Sequence, residues 1–585
     1  QEATFASPGL TLNTASLSFE LNGATVDKLA VTGSASLTGT NSINIVPVGP
    51  LTAGTYNLIT AASGLDAGGT FAFGSTGTTT QTVAFGTEAY TLSLNNAAGV
   101  ESVTVGTPIS ITGVTWAGQT NGNGAADSTW SNGANSNWAA GPSAVAFTNG
   151  TAVTFGDTNA ANGGLAITNS TVTVATGGVN PTSTTFDNTA VNYTVGGAAI
   201  GGSGGITKLG TGSLTLSSAN SYSGVTTINA GTIILGNAAA LGAGTGTPDG
   251  TTISSGATLD LGGVSNGANS AAGSERLTGS GTGMGGNGAI VSSGIIATPF
   301  IGVRYLTLAG DTTLGFSNRW DIGSSTAANN GFVGGGFNLS FLGTASAAQV
   351  SLNFLGETDL GDINVNLGSS PTTNILYLQG DTTLGQTSKT MTITGGSALE
   401  VFTNSTLASY NKKFDLDNGT IRISKTGATS LPGTIKLTNG NTITANGATV
   451  AITASDVISG GGGLTKAGSG SLTLSGASIY TGSTISSAGT LSLTGSLTGS
   501  NVSTSGTGII SQSATGVIAG TGVTFTHGSS GTSTLAGANT YTGDTTLSAG
   551  TVAISNAASF GTGNVLVTGA SRINATGGIT YANAI

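Results

Sequence analysis

Residues 204–233 read GGITKLGTGSLTLSSANSYSGVTTINAGTI, and this stretch decides the fold. It returns from Gly462 as GGLTKAGSGSLTLSGASIYTGSTISSAGTL, and from Gly522 as a worn copy ending TSTLAGANTYTGDTTLSAGTV. The anchors keep step: Tyr222, Tyr480 and Tyr541 each precede a Gly-Thr pair, at Gly231, Gly489 and Gly550, by the same interval. Within a copy, segments such as Ser213-Leu-Thr-Leu-Ser217 alternate aliphatic residues with Thr or Ser, the period of a half-buried strand. A short-stranded unit cannot bury its apolar face alone and must stack on the next. The expected fold is all-β: a right-handed parallel β-helix, or β-solenoid, with a β-rich N-terminal module. At roughly 20–25 residues per turn and about 4.8 Å between stacked strands, residues 201–585 make a rod roughly 75–90 Å long.

Composition agrees with a stacked array and removes several function classes. Charged residues are 6% of the chain, and glycine fills 100 of 585 positions without the three-residue period of collagen. Disorder needs low hydrophobicity with high net charge, which this chain lacks. Only 13 residues are Lys or Arg, too few for a surface that tracks nucleic-acid phosphates. No apolar run is long enough for a membrane-spanning helix. Cysteine is absent, so no disulfide supports the fold. The chain opens on Gln1 rather than Met, which reads as a processed, exported product after signal-peptide removal.

Three regions follow. Residues 1–108 form a β-rich module, with strand-like segments Leu10-Thr-Leu12, Leu17-Ser-Phe19 and Tyr90-Thr-Leu92-Ser-Leu94, that reads as a closing or junction unit. Residues 109–200 carry Trp116, Trp130 and Trp138 among Gly, Asn and Ser. These rings are expected to plug the end of the solenoid; the alternative is a sugar-stacking platform. Residues 201–585 are the repeat rod, punctuated by Gly and Asn where corners need left-handed backbone. Gly-Asp-Thr-Thr-Leu recurs at 310–314, 380–384 and 543–547, and Asn-Ala-Ala at 237–239 and 556–558.

Residues 204–233, 462–491 and 522–552 resemble the passenger-associated transport repeats of bacterial autotransporter passengers. The Trp116, Trp130 and Asn137-Trp138 stretch resembles the segment that opens such arrays. Residues 10–94, with Asp27-Lys-Leu-Ala-Val31 and Leu51-Thr-Ala-Gly-Thr-Tyr-Asn-Leu-Ile-Thr60, resemble the module that closes one. The resemblance implies a secreted β-helical architecture, often adhesive, and no particular reaction. Two departures stand out. The family's translocating barrel is missing, and the closing-type module precedes the opening-type one. That order is expected if the residues are one period of a longer polymer, or a subunit joined head to tail, with strands near Ile585 stacking on those near Phe5.

Chemistry is sparse. The single histidine, His527, occupies the repeat slot of Lys208 and Lys466 and reads as a surface side chain. One histidine and no cysteine exclude a Ser-His-Asp triad, a Cys-His dyad and a His-based zinc site. Glu357, Asp359 and Asp362 are the best acidic cluster. Glu357 and Asp359 share a strand face, so the cluster is a weak calcium candidate set against a solvated edge. Asp415 and Asp417 beside Lys412, Lys413, Arg422 and Lys425 read as a self-compensating surface or a lateral contact. The glycine runs 201–205, 282–288 and 460–463 lack a phosphate-loop ending and read as turns. No cofactor is expected, and catalysis by a polysaccharide-degrading β-helix ranks last.

The expected function is a structural β-solenoid that stacks end to end with itself into a cell-surface or extracellular fibre, sheath or matrix. Residues 578–585, with Tyr581 and Ile585, carry no charge or proline and are the expected open edge. The alternative is an adhesin displaying a glycan- or protein-binding site, with the irregular stretch 264–300 as a candidate insertion.

Overall fold

The computed structural model describes residues 4–585 except 75–77, 86–87, 111–112, 120–125, 142, 244–249, 265–274, 296–301, 324–330, 346–347, 354–355, 381, 402–411 and 432. The described residues contain no α-helix, only strands, turns and the short 3-10 turns Ala160–Asn162 and Met284–Gly286. Contacts divide the chain into two compact units, Gln1–Thr226 and Thr227–Ile585.

The first unit opens with mixed sheets. Thr4–Ser7, Lys28–Val31 and Gly54–Thr60 stack in parallel, and Leu10–Asn13 and Ser16–Gly23 pair in parallel with the long strand Ala35–Leu51. The chain then reverses: Val100–Val105 runs antiparallel to both Gly54–Thr60 and Glu88–Ala97. Alternation points Leu21, Ile43, Leu58, Leu92 and Val103 into one shared apolar core. Parallel coils follow. Val114–Trp116, Val153–Gly156, Thr184–Asp187 and Ile206–Lys208 form one column. Thr129–Trp130, Thr171–Val174, Tyr193–Gly197 and Ser213–Leu216 form a second.

The second unit is a β-solenoid built around an 18-stranded sheet that runs from Ile322–Gly323 to Val565–Ala575. Its neighbours pair in parallel, and register shows how the coil repeats. Lys466 stands opposite Ser486, then Thr504, His527 and Leu547 follow, so successive coils take 20, 18, 23 and 20 residues. Between Ala477 and Tyr541 each coil adds a strand to a further four-stranded parallel sheet. Aliphatic residues fill the interior, as in Ser471–Leu474, where Leu472 and Leu474 are buried while Ser471 and Thr473 face outward. Burial of that column at about 25 cal/mol per Å² of apolar surface, with a continuous backbone ladder, replaces the disulfides the chain lacks.

Of the irregular stretch 264–300, residues 265–274 and 296–300 lie outside the described residues. The rest keeps the stack, since Arg276–Gly281 and Ile290–Val291 pair in parallel with the coils before and after them. The last strand, Val565–Ala575, lies on Thr545–Ile554. Residues 578–585, the expected open edge, form no strand. They fold over the final coil instead: Val565 donates its N–H to Ala584 O, and Asn583 Nδ2 donates to the carbonyls of Phe560, Gly561 and Gly563. The Tyr581 ring meets Phe560 edge-on at 6.0 Å, while Phe5 and Ile585 are each 70% exposed.

Candidate functional site

The repeat slot of Lys208, Lys466 and His527 faces the interior, which corrects the expectation of a surface position. The reason is the period of two. In Ile206–Lys208 the lysine falls on the same face as Ile206, and both are buried. A buried ammonium needs oxygen partners, and the corners provide them. Lys466 Nζ donates to the carbonyls of Ala467, Gly468 and Ala488 at 2.8–2.9 Å. Lys208 Nζ donates to Gly210 O and lies 3.5 Å from Asn188 O. Burial pulls both amines down to about 8, with Asp187 and Asp157 opposing that shift at Lys208. In the third copy His527 Nδ1 lies 2.9 Å from Thr504 Oγ1 and Nε2 3.3 Å from Gly531 O, and burial lowers its pKa. Lys466, Ser486, Thr504 and His527 thus form one polar column inside the rod.

The repeat tyrosines are buried too. The hydroxyls of Tyr222, Tyr480 and Tyr541 lie 2.6–2.7 Å from Thr226, Thr484 and Thr545, four residues on in each case. Thr484 extends the chain to Ser500, which donates to Gly482 O. Burial raises the Tyr480 and Tyr541 pKa values. No ring face is left for a sugar. Gly231, Gly489 and Gly550 all adopt left-handed backbone, with φ of +70°, +62° and +65°. At Gly489 an added Cβ would also sit 2.3 Å from Gly470 O, so the corner admits no side chain.

Trp116, Trp130 and Trp138 are fully buried around Phe147 and Phe155, with ring centroids 5.1–5.8 Å apart. Their burial removes the sugar-stacking alternative. Phe155 stacks on Phe186 of the next coil at 4.5 Å, which extends the aromatic packing along the stack. Trp116 Nε1 donates to Asn169 O at 3.0 Å.

At the acidic cluster, Glu357 is buried rather than solvated. Its Oε2 accepts from Gly334 N–H at 2.6 Å and its Oε1 from Thr358 and Asp359 N–H. Asp359 Oδ1 accepts from Gly335 N–H, and Asp362 Oδ1 from Thr390 N–H in the next coil. Burial and a side-chain hydrogen bond to Asp359 raise the Glu357 pKa, and the same hydrogen bond lowers that of Asp359. These oxygens are turned onto backbone donors of the turn and the coils. Among the described residues no group of three or more His, Cys, Asp or Glu is arranged to hold a metal ion.

The charge-dense patch at 412–425 also divides differently from expectation. Lys412 is buried, and its Nζ donates to the carbonyls of Leu360, Gly361 and Gln386. Lys436 pairs with Asp415 on the outside at 2.8 Å, and Arg422 lies 3.5 Å from Glu400. The last pair belongs to a column that sequence reading missed. Register places Ser351, Tyr377, Glu400 and Arg422 opposite one another on successive coils. At its head Arg319 grips buried Asp321 with two hydrogen bonds of 2.9 and 3.1 Å, and Asp321 Oδ1 accepts from Ser351 N–H. The Arg319 guanidinium also lies 5.5 Å from the Tyr377 ring centre.

Residues 206–235, 464–493 and 529–554 match the family model of the passenger-associated-transport-repeat. No curated protein and no solved structure matches the chain. The three matched stretches contain the anchor glycines: Gly231 and Gly489 stand between two strands, and Gly550 lies within the long strand Thr545–Ile554.

Proposed function

We propose that this chain, a β-solenoid carrying three passenger-associated-transport repeats, is an extracellular or cell-surface structural rod with a non-catalytic role, and that it builds a fibre, sheath or matrix by stacking. One observation carries the reading: an 18-stranded parallel ladder wound on an apolar core. Such a ladder is extended by any coil that offers the same backbone pattern. Val565–Ala575 pairs through one edge with Thr545–Ile554; on the other edge Ala584 O takes the Val565 N–H, and the side chains from Leu566 to Ala570 are exposed. A following coil, from the same polypeptide or from a second copy, would continue the ladder there.

Electron microscopy of native material, with intact mass after denaturation, tests this. Filaments that dissolve to the 56.1 kDa chain support stacking between copies. Isolated rods of that mass at high concentration refute it. Val567→Pro removes one backbone donor from the edge strand and should abolish filaments without unfolding earlier coils.

A second reading, a passenger that displays a binding site for a glycan or a host protein, is favoured by the column from Asp321 to Arg422. It gathers charge on one sheet face of a chain in which charge is scarce.

A further inference from the structure

Asn439-Gly440 sits at an exposed corner of the second unit, between the strands Ile435–Leu437 and Asn441–Ala445. Gly133, Gly150, Gly288, Gly419 and Gly447 also follow an asparagine, and each donates its N–H to an oxygen at 2.7–3.1 Å. Gly440 N–H donates to no group among the described residues. A Cβ added at Gly440 would meet nothing within 4 Å, so the nitrogen is open to approach. The Asn439 side chain makes one hydrogen bond, from Nδ2 to Asp417 Oδ1 on the preceding coil.

We propose that Asn439-Gly440 is a self-modification site, at which Asn439 converts to aspartate and isoaspartate with water as the co-reactant. Gly440 N loses its proton to solvent and attacks Asn439 Cγ. A five-membered imide forms, the Cγ–Nδ2 bond breaks, and the side-chain nitrogen leaves as ammonia. Water then adds to either imide carbonyl and opens the ring to aspartate or isoaspartate. In balance, one water is consumed and one ammonia is released. Ring closure turns the peptide plane and needs the glycine nitrogen, so an amide held in a hydrogen bond must first be released. Gly440 carries neither that bond nor a side chain that would crowd the attack. Exposure supplies the water for ring opening.

The product changes a joint between coils. A carboxylate at position 439 faces Asp417, so a hydrogen bond becomes a contact between like charges. Isoaspartate also adds a methylene to the main chain and displaces Asn439 O. That oxygen accepts from Nδ2 of buried Asn441, whose Oδ1 accepts Gly419 N–H from the preceding coil. The strands Lys413–Asp417 and Asn441–Ala445 therefore lose anchorage as the chain ages. This chemistry goes beyond the structural role and stands whether or not the rods stack.

The test is incubation of the full chain at pH 8, peptic digestion and tandem mass spectrometry, with isoaspartyl methyltransferase labelling. Asn439 should convert about fivefold or more faster than Asn132, Asn149, Asn287, Asn418 and Asn446, the factor that one backbone hydrogen bond supplies. Asn439→Gln, which would have to close a larger ring, should leave the position unmodified. Gly440→Val, which crowds the nitrogen, should slow conversion to the level of the five bonded pairs. The converted chain should lose hydrogen-exchange protection at 413–417 and 441–445 that the Asn439→Gln variant keeps. Absence of imide products at Asn439, conversion there no faster than at the bonded pairs, or unchanged protection after conversion overturns the proposal.

Discussion

Replacing Glu101 with glutamine should abolish a pH dependence that the wild-type N-terminal unit carries. Glu101 lies in Val100–Val105, is 0% exposed, and neither carboxyl oxygen has a hydrogen-bond partner. Desolvation pushes its pKa from 4.5 up to about 7. Below 4.5 both folded and unfolded chains hold the proton. Between 4.5 and about 7 the folded chain holds it and the unfolded chain releases it, so stability falls as pH rises through that window and is level above it. At 1.36 kcal/mol per pH unit the interval corresponds to at most about 3 kcal/mol. Glutamine keeps the size and removes the titration. The variant should match wild type near pH 4 and exceed it near pH 8 by up to about 3 kcal/mol. Urea titrations at pH 4, 6 and 8 provide the assay, with pulse proteolysis read by mass spectrometry at peptides from 54–105. A wild-type unit whose stability is flat or rises over that range, or an E101Q variant with the same slope, refutes the reasoning.

Three further outcomes follow from the repeat core and the tryptophan cluster. Lys466 titrates in the opposite sense: its pKa falls from 10.5 to about 8, so coils around 464–493 should gain stability between those values, and Lys466→Met should erase the gain. The same variant removes the donor to three corner carbonyls and should cost about 2–4 kcal/mol at pH 7, read as lost hydrogen-exchange protection at 464–493. Gly489→Ala should cost about 3 kcal/mol or more, because left-handed backbone and a 2.3 Å clash with Gly470 O coincide; a urea midpoint within error of wild type would contradict this. Trp138→Ala opens a cavity among four aromatic neighbours and should cost about 3–5 kcal/mol, with protease sensitivity appearing at 109–200 before the later coils.

Much of the interior was legible in one dimension. Alternation in Ser213–Leu216 and Ser471–Leu474 names the buried leucines, and the Gly-Thr pairs name the corners, because a parallel ladder imposes a period of two and a corner imposes left-handed backbone. The same period also placed Lys208 and Lys466 inside, on the faces of Ile206 and Leu464. Charge suggested the surface instead, and the corner carbonyls that accept the ammonium groups are not visible in a sequence.

Repetition, alternation and scarcity of charge therefore determine by themselves that this chain winds into a β-solenoid, since each short unit must bury its apolar face on its neighbour. Which residues meet across coils was decided only by the tertiary structure. From Asp321 through Ser351, Tyr377 and Glu400 to Arg422, the steps are 30, 26, 23 and 22 residues. Loops of unequal length at the corners change each step, so no constant spacing reveals the column. The hydrogen-bond register of the stacked strands aligns it, and register is a property of the packed rod.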